Sequence, residues 1–150
     1  MVKKKFRVNM DNYNHFTVKK NPLIKNYKGN IIKFISKEDI NFFGFGEIYF
    51  SYVKKNKIKA WKLNHISFSN MMVIRGRVLF VTYKKNSFNK IIITDKNRKC
   101  ISIPNKLIYG FMGLEKTNLI VNMVNKKHSD KNNKKIDLSE IKFNWSKFQI

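Results

Sequence analysis

Residues 71–83 read Met71-Met72-Val73-Ile74-Arg75-Gly76-Arg77-Val78-Leu79-Phe80-Val81-Thr82-Tyr83. They consist of two short apolar runs on either side of a basic, glycine-centred break. Runs of this length that are rich in branched and aromatic residues are typical of β-strands. A glycine in the break tolerates the positive φ angles that tight turns use. The segment therefore predicts a strand, a turn and a second strand.

The same pattern recurs along the chain in both directions, roughly every ten residues. Polar breaks such as 54–57 and 84–87 separate the runs, and Pro104 ends another run. Regular spacing of short strands is typical of an all-β sandwich, barrel or jelly roll. Convincing helical windows are scarce. Including the two runs above, the predicted strands are 31–35, 47–53, 57–61, 71–74, 78–83, 91–94, 100–103 and 119–124.

The two ends of the chain give weaker signals. Residues 1–30 carry scattered aromatics and are predicted to form an irregular or strand-forming arm. Residues 125–135 are dominated by lysine and asparagine, which predicts a solvated loop. Asp137 followed by Glu140 matches a capping box and predicts one short helical turn near the C-terminus. No repeat or linker divides the chain, so residues 1–150 are expected to form a single domain.

Composition narrows the functional class. The chain has 150 residues, of which 43% are hydrophobic and 14% aromatic, which is too apolar for a disordered protein. No apolar run approaches the ~20 residues of a membrane span, and no secretory leader is recognisable at the start. A lone cysteine, Cys100, excludes an internal disulfide. We expect a cytoplasmic protein with no membrane contact.

The charge is the most conspicuous property of the sequence. Thirty-two Lys and Arg stand against nine Asp and Glu, giving a net charge of +23. Such an excess suggests a nucleic-acid partner. However, 28 of the basic residues are Lys and four are Arg, beside 20 Asn and 19 Ile, which suggests an AT-rich coding bias. Selection for phosphate contacts would favour Arg, so the scarcity of Arg argues against a nucleic-acid partner.

General catalytic and metal-binding motifs are missing from the sequence. Gly44-Phe45-Gly46 is too short for a phosphate-binding loop and precedes a predicted strand. His15, His65 and His128 are far apart and show no ligand spacing. We therefore expect neither a metal nor a cofactor.

Five short motifs, in order, make the chain similar to the dTDP-4-dehydrorhamnose 3,5-epimerase family. Together they cover roughly residues 45–146, about two thirds of the chain. Each is weak alone, and their order and spacing make the resemblance moderately specific. The motifs are Gly46-Glu47-Ile48-Tyr49-Phe50-Ser51, Ile58-Lys59-Ala60-Trp61-Lys62, Val73-Ile74-Arg75-Gly76-Arg77-Val78, Ile103-Pro104 with Tyr109-Gly110-Phe111, and the closing stretch 137–145 with its Trp145.

The resemblance implies a cupin-like jelly-roll β-sandwich, usually a homodimer, that binds a nucleotide-linked keto sugar. In that family a histidine base, assisted by a second histidine and an aspartate, removes the proton next to the ketone. A lysine stabilises the enolate, and a tyrosine returns a proton from the other face. The resemblance thus implies an epimerase or isomerase in carbohydrate or surface-polysaccharide biosynthesis.

Most of that catalytic set is replaced in this sequence. The base position is Lys62, the related second histidine position is Asn64, and the enolate lysine position is Ser69. The family's other histidine corresponds to Tyr109, and its tyrosine falls near Lys126. The candidate catalytic residues that the resemblance implies are Lys62, Tyr109 and Asp137, and the candidate substrate-binding residues are Lys59, Asn64, His65, Asn70, Arg75 and Asn122.

Three functions remain open from the sequence. The first is a sugar-nucleotide epimerase or isomerase that uses a different set of residues, with Lys62 as a buried base and Tyr109 as a proton donor. The second is a non-catalytic cupin that binds a sugar nucleotide or serves as a structural partner, because Lys, with a reference pKa near ~10.4, is a poor base at neutral pH. The third is a polyanion- or nucleic-acid-binding protein. Lys59 and Arg75 are expected to contact a substrate diphosphate in the first case.

Overall fold

The computed structural model describes residues 15–150, so the first fourteen residues of the predicted N-terminal arm lie outside the described residues. The described part contains twelve strands and one 3₁₀ helix. The strands are β1 (Thr17–Lys20), β2 (Leu23–Ile24), β3 (Ile31–Ile32), β4 (Glu47–Lys54), β5 (Ile58–Asn64), β6 (Ser69–Arg75), β7 (Arg77–Lys84), β8 (Ser87–Thr94), β9 (Lys99–Ile103), β10 (Ile108–Gly113), β11 (Thr117–Val124) and β12 (Asn133–Lys135), and the 3₁₀ helix is Trp145–Phe148.

Ten of these strands form two five-stranded antiparallel sheets. Sheet A has the order β1-β9-β6-β11-β4, and sheet B has the order β12-β5-β10-β7-β8. Strands β2 and β3 pair only with each other. The predicted all-β class is confirmed. No element within residues 15–150 is a helix long and apolar enough to cross a membrane.

Gly76 marks a corner at which the chain passes from one sheet to the other. Strand β6 belongs to sheet A and strand β7, which follows it directly, belongs to sheet B. Gly76 has a φ of 88°, a conformation that glycine adopts without strain. Beside it, the backbone N–H of Arg77 donates to Oδ1 of the buried Asn118 at 3.0 Å. The break predicted within residues 71–83 is therefore a corner between sheets and not a hairpin.

The main core lies between the two sheets. Alternate residues of each strand point inward, as the twofold period of a strand requires. The packed inner faces leave these side chains almost without solvent contact, and the aromatic centre of the core is the pair Phe80 and Phe111, whose ring centroids are 5.7 Å apart. The buried members of this core are Val53, Met71, Val73, Val78, Phe80, Ile93, Ile101, Ile103, Leu107, Tyr109, Phe111 and Ile120.

A second cluster covers the outer face of sheet B. The C-terminal segment folds back over this face, and Trp61 and Trp145 pack with ring centroids 5.3 Å apart. Trp61 is fully buried and its Nε1 donates to the carbonyl oxygen of Ile141 at 3.0 Å. The short C-terminal helix of the structure is the 3₁₀ helix Trp145–Phe148, a few residues after the segment 137–141 where the sequence predicts a helical turn. At 137–140 the capping-box bonds form a simple turn, with Asp137 N donating to Glu140 Oε1 at 3.3 Å.

Two strands of the structure, β10 and β12, were not predicted from the sequence. Strand β10 was not predicted because Gly110 and Gly113 interrupt its apolar run, yet Gly110 is required there because a Cβ would collide with Ala60 on β5. Strand β12 lies inside the predicted loop 125–135 and pairs with β5, although its residues Asn133–Lys135 have no apolar pattern.

Candidate functional site

A pocket of about 700 Å³ opens at one end of the sandwich, between the two sheets. This volume lies in the range of small-molecule sites in proteins. The pocket mixes cationic, acidic and hydroxyl-bearing side chains. Its lining residues are Glu47, Tyr49, Lys62, Leu63, Asn64, Ser69, Tyr109, Val124, Lys126, His128, Asp130, Asn133, Lys134 and Lys135.

Each sheet supplies one wall of the pocket. Glu47 and Tyr49 of β4 are in sheet A, on the same inward-pointing positions as the core residue Val53. Lys62 of β5 and Tyr109 of β10 are Cα partners on neighbouring strands of sheet B. At this end of the sandwich polar side chains thus take the inward positions that apolar residues occupy deeper in the core.

The segment between β11 and β12 forms the third side. His128 anchors it through three contacts. Its backbone N–H donates to Glu47 Oε2 at 3.1 Å, its Nε2 lies 3.0 Å from Asp130 Oδ1, and its Nδ1 lies 2.8 Å from Asn133 Nδ2. Gly46 lets this segment approach β4, because a Cβ there would lie 2.5 Å from the Lys126 backbone.

Lys62 is the most perturbed cation of the described chain. Burial, as the largest cause, and the nearby positive charges of Lys59 and Lys135 together lower the pKa of its ammonium to about 8. Its Nζ lies 4.9 Å from the centroid of the Phe111 ring. A fraction of the Lys62 side chains is therefore neutral near physiological pH, and a neutral amine can act as a base.

Two tyrosines lie on the walls of the pocket. Tyr109 is 6% exposed, and burial raises the pKa of its phenol, although a hydrogen bond with Ser69 opposes this. Burial also raises the pKa of Tyr49, with a smaller contribution from the charge of Glu47. Asn122 Nδ2 donates to the Tyr49 hydroxyl oxygen at 2.7 Å. Both phenols are thus held in the protonated form at neutral pH.

The structure brings part of the predicted site together. Lys62, Asn64 and Tyr109 line the pocket. The Oδ1 of Asn64 accepts from the backbone N–H of Ser67 at 2.8 Å, so this residue also shapes the adjoining turn. Asn122 does not line the pocket but contacts Tyr49, which does. Lys59 is also not a lining residue, and its Nζ donates to Ser51 Oγ at 2.9 Å.

Four predicted residues lie elsewhere. Asn70 points to the outer face of sheet A, where its Oδ1 accepts from Asn41 and Ser102, because neighbouring residues of a strand face opposite sides. His65 and Arg75 are exposed at strand ends, away from the lining. Asp137 is fully exposed, and the hydrogen bonds that its carboxylate accepts from the hydroxyl and backbone N–H of Ser139 lower the pKa of the carboxyl.

The lining residues that sequence reasoning missed include Glu47, Tyr49, His128 and Asp130, and also the two lysines Lys134 and Lys135. The alternation of β4 could have indicated Glu47 and Tyr49, since they share the parity of Val53. No sequence signal places the His128 loop over the pocket. Within residues 15–150 no group of three His, Cys, Asp or Glu side chains is arranged as metal ligands.

Comparison with known proteins gives structural likeness without sequence-level matches. No family model matches the chain, and no curated protein matches it. A dTDP sugar isomerase from Desulfovibrio desulfuricans superposes with a TM-score of 0.79 at 23% identity, covering 87% of this chain and 90% of that one. A dTDP-4-dehydrorhamnose 3,5-epimerase from Bacillus anthracis, solved with TDP and PPi bound, gives 0.76 at 15% identity, covering 92% and 87%.

A third similar structure comes from a more distant chain. A 3'-monoepimerase from Streptomyces bikiniensis, in complex with dTDP-quinovose, gives a TM-score of 0.74 at 9% identity, covering 81% of this chain and 69% of that one. Likeness at such low identity establishes the fold. The cupin-like fold that the sequence resemblance implies is therefore confirmed.

Proposed function

We propose that the protein binds a nucleotide-linked keto sugar and catalyses epimerisation or isomerisation through an enolate, as a step in carbohydrate biosynthesis. The observation that carries this proposal is Lys62, a base with a pKa lowered to about 8 on the wall of a 700 Å³ pocket. A carbon next to a ketone is a weak acid. Its deprotonation needs a correctly placed base and a preorganised environment for the developing oxyanion.

The charges around the pocket suit a diphosphate. Four lysines line it, Lys62, Lys126, Lys134 and Lys135, against the two carboxylates Glu47 and Asp130. Lysines at the rim of a partly enclosed site attract phosphate oxygens more strongly than lysines in open solvent do. The fold is shared with solved enzymes that are described as acting on dTDP sugars, which supports a dTDP-linked substrate.

The test is solvent exchange. The protein is incubated with a dTDP-4-keto-6-deoxy sugar in deuterated water, and deuterium next to the ketone is followed by NMR. We expect enzyme-dependent incorporation, which Lys62→Met abolishes while dTDP binding persists. Binding of the nucleotide sugar with no incorporation by the wild-type protein would favour the non-catalytic binding function. If the wild-type protein neither binds the nucleotide sugar nor incorporates deuterium, the catalytic and the non-catalytic binding functions are both excluded.

We also propose that the protein is a homodimer formed through strand β4. This strand is the edge of sheet A, and its outward side chains are apolar, with Ile48 46%, Phe50 59% and Tyr52 67% exposed. An uncovered apolar face on an edge strand is suited to pairing with the same strand of a second copy.

Sedimentation measurements on the wild-type protein and on Phe50→Glu test the dimer. We expect a wild-type dimer and a Phe50→Glu monomer with unchanged secondary structure. The control is Ile150→Glu, which changes a residue that is 61% exposed at the C-terminus and should leave the dimer intact. A monomeric wild-type protein at ~100 μM would contradict this interface.

A further inference from the structure

The amine of Lys62 lies in the pocket without an ion-pair partner. Within residues 15–150 no Asp or Glu side chain forms an ion pair with it, and the two charges that perturb it, those of Lys59 and Lys135, are both positive. Its Nζ lies over the Phe111 ring, 4.9 Å from the centroid. The protonated form of such a lysine is poorly stabilised, and the neutral form carries a lone pair that is free to react.

Further cationic side chains surround this amine. Lys135 of β12 is the Cα partner of Lys62, so the two side chains point to the same side of sheet B. Lys126 and Lys134 line the same pocket. These three lysines can attract a phosphate group while the Lys62 amine contacts another part of the same ligand.

A neutral amine in these surroundings is suited to attack a carbonyl carbon. With a pKa of about 8, roughly a tenth of the Lys62 side chains are neutral at pH 7, against fewer than about one in a thousand at the ordinary value of 10.5. Lysines that are desolvated or lie next to another cation form Schiff bases with carbonyl compounds in this way. The pocket, of about 700 Å³, has room for a small ligand.

We propose that Lys62 is a covalent binding site for an aldehyde that carries a phosphate, which it holds as a Schiff base. The inference goes beyond the proposed function, because it requires the pocket and the amine but no turnover of a sugar. While the adduct persists, the Lys62 nitrogen cannot act as a base, so such an aldehyde would also inhibit the proposed enolisation.

The adduct forms in two balanced steps. The Nζ lone pair forms a bond to the carbonyl carbon, the C=O π pair moves to the oxygen, and a proton passes through water from the nitrogen to that oxygen. The resulting hydroxyl takes a proton from solvent and leaves as water, while the nitrogen lone pair forms the C=N bond. Addition of water reverses both steps, so the adduct is reversible.

Borohydride trapping tests the site. The wild-type protein is incubated at pH 7 with glyceraldehyde 3-phosphate, and sodium borohydride then reduces any C=N bond to a stable secondary amine that peptide mass spectrometry locates. We expect at least about tenfold more labelling of Lys62 than of Lys90, an exposed lysine of β8, because Lys62 is more often neutral. Glyceraldehyde without the phosphate should label Lys62 about tenfold less, since the neighbouring lysines then attract nothing.

Variants show whether the label belongs to this amine. Lys62→Met and Lys62→Arg should both lose the fast labelling, and Lys62→Arg keeps a positive charge in the pocket. The matched control Lys90→Met should keep it. Circular dichroism establishes that each variant is folded.

The outcomes separate the covalent site from the proposed function. Equal labelling of Lys62 and Lys90 would overturn the covalent site, and so would equal labelling of Lys62 by the two aldehydes. Neither result bears on the deuterium-exchange experiment, so the proposed function can stand without the covalent site. Fast labelling of Lys62 in a protein that exchanges no deuterium would support the covalent site and remove the epimerase.

Discussion

Lys62 shows how one buried charge can link stability to chemistry. Its ammonium lies on the inward face of β5 beside the Phe111 ring, and two further lysines, Lys59 and Lys135, repel it. The folded protein therefore binds the Lys62 proton less tightly than the unfolded chain does. An unfavourable charge held in a pocket is a frequent property of functional residues.

We predict that the rate of deuterium exchange rises with pH through about 8, because the neutral Lys62 amine is the active form. The stability of the fold also depends on the protonation of Lys62. Below pH 8 Lys62 is protonated in both states and the destabilisation is complete. Between about 8 and the ordinary value of 10.5 the unfolded chain binds more protons, so this destabilisation diminishes as pH rises.

Replacing the charge should therefore stabilise the fold. At pH 7 we expect Lys62→Met to raise the melting temperature by roughly 2–4 °C, the shift that ~1 kcal/mol produces in a chain of this size. Lys90→Met, at an exposed position of β8, is the control and should not change it. A Lys62→Met protein with a lower melting temperature than the wild type would contradict this, because it would show that the contacts of the lysine side chain stabilise the fold by more than its charge destabilises it.

The site residues differ in how far the sequence could predict them. The family resemblance implies Lys62 as the base position, because it follows Trp61 in a short motif that matches the family. Tyr49 belongs to an equally recognisable strand, but its importance depends on which residues lie opposite it. That relation arises only when two sheets pack, and sequence spacing carries no measure of it.

At the scale of elements, the loop between β11 and β12 closes the pocket by a few polar contacts. The backbone N–H of His128 ties the loop to Glu47 on β4, and its imidazole contacts Asp130 within the loop and Asn133 at the start of β12. Backbone hydrogen bonds hold the two ends of the loop as well, with the His65 N–H donating to the Asn132 oxygen at 2.9 Å and the Asn125 N–H donating to the Phe68 oxygen at 3.2 Å. Lys126 of this loop lines the pocket.

We predict that His128→Ala weakens dTDP binding by about threefold to tenfold, equivalent to the loss of one ordinary hydrogen bond or so. Calorimetric titration with dTDP measures this change. His65→Ala, which alters an exposed histidine away from the pocket lining, serves as the control. Unchanged affinity in His128→Ala would mean that the loop keeps its position without the imidazole.

The sequence predicts those strands whose alternating apolar residues fill the core. It misses strands whose pairing depends on how closely a neighbouring backbone can approach. The segments around β6, β7 and β11 were predicted because their apolar residues fill the core. Strand β10 was missed because Gly110 makes room for Ala60, a requirement that comes from the neighbouring strand. Strand β12 consists of one Asn and two Lys that pair at the edge of sheet B, and an edge needs no apolar residue on its exposed side.

The whole molecule carries a net charge of +23, which the fold does not require. Nine of the thirteen elements described by the structure contain a Lys or Arg, and four lysines line the pocket. A general positive potential attracts any polyanion, and such binding is governed by salt. Specific binding of a diphosphate in a partly enclosed pocket is screened less.

We predict that binding to a fluorescent 20-mer DNA duplex falls by about 100-fold or more between ~50 and ~200 mM salt. Over the same range the affinity for dTDP should change by less than about tenfold. Fluorescence anisotropy and calorimetry provide the two measurements. DNA binding that persists at ~200 mM salt would favour the polyanion-binding function that the sequence left open.

The layered architecture was predictable at this scale because regular strand spacing leaves few alternatives. The sequence did not predict which segment covers the outer face of each sheet. The outer face of sheet B is closed by the C-terminal segment, whereas the outer residues of β4 remain exposed. Both faces are apolar, and the sequence alone does not distinguish a face that its own chain covers from one left for a partner.

The packing of the C-terminal segment also gives the protein an internal optical reporter. Trp61 and Trp145 are both tryptophans of the chain, and their rings lie 5.3 Å apart at an interplanar angle of 45°. Two indoles this close couple their electronic transitions and produce a paired positive and negative band in circular dichroism. Because Trp61 lies on β5, loss of that band while the far-ultraviolet signal of the strands persists would report detachment of the last ten residues without any added label.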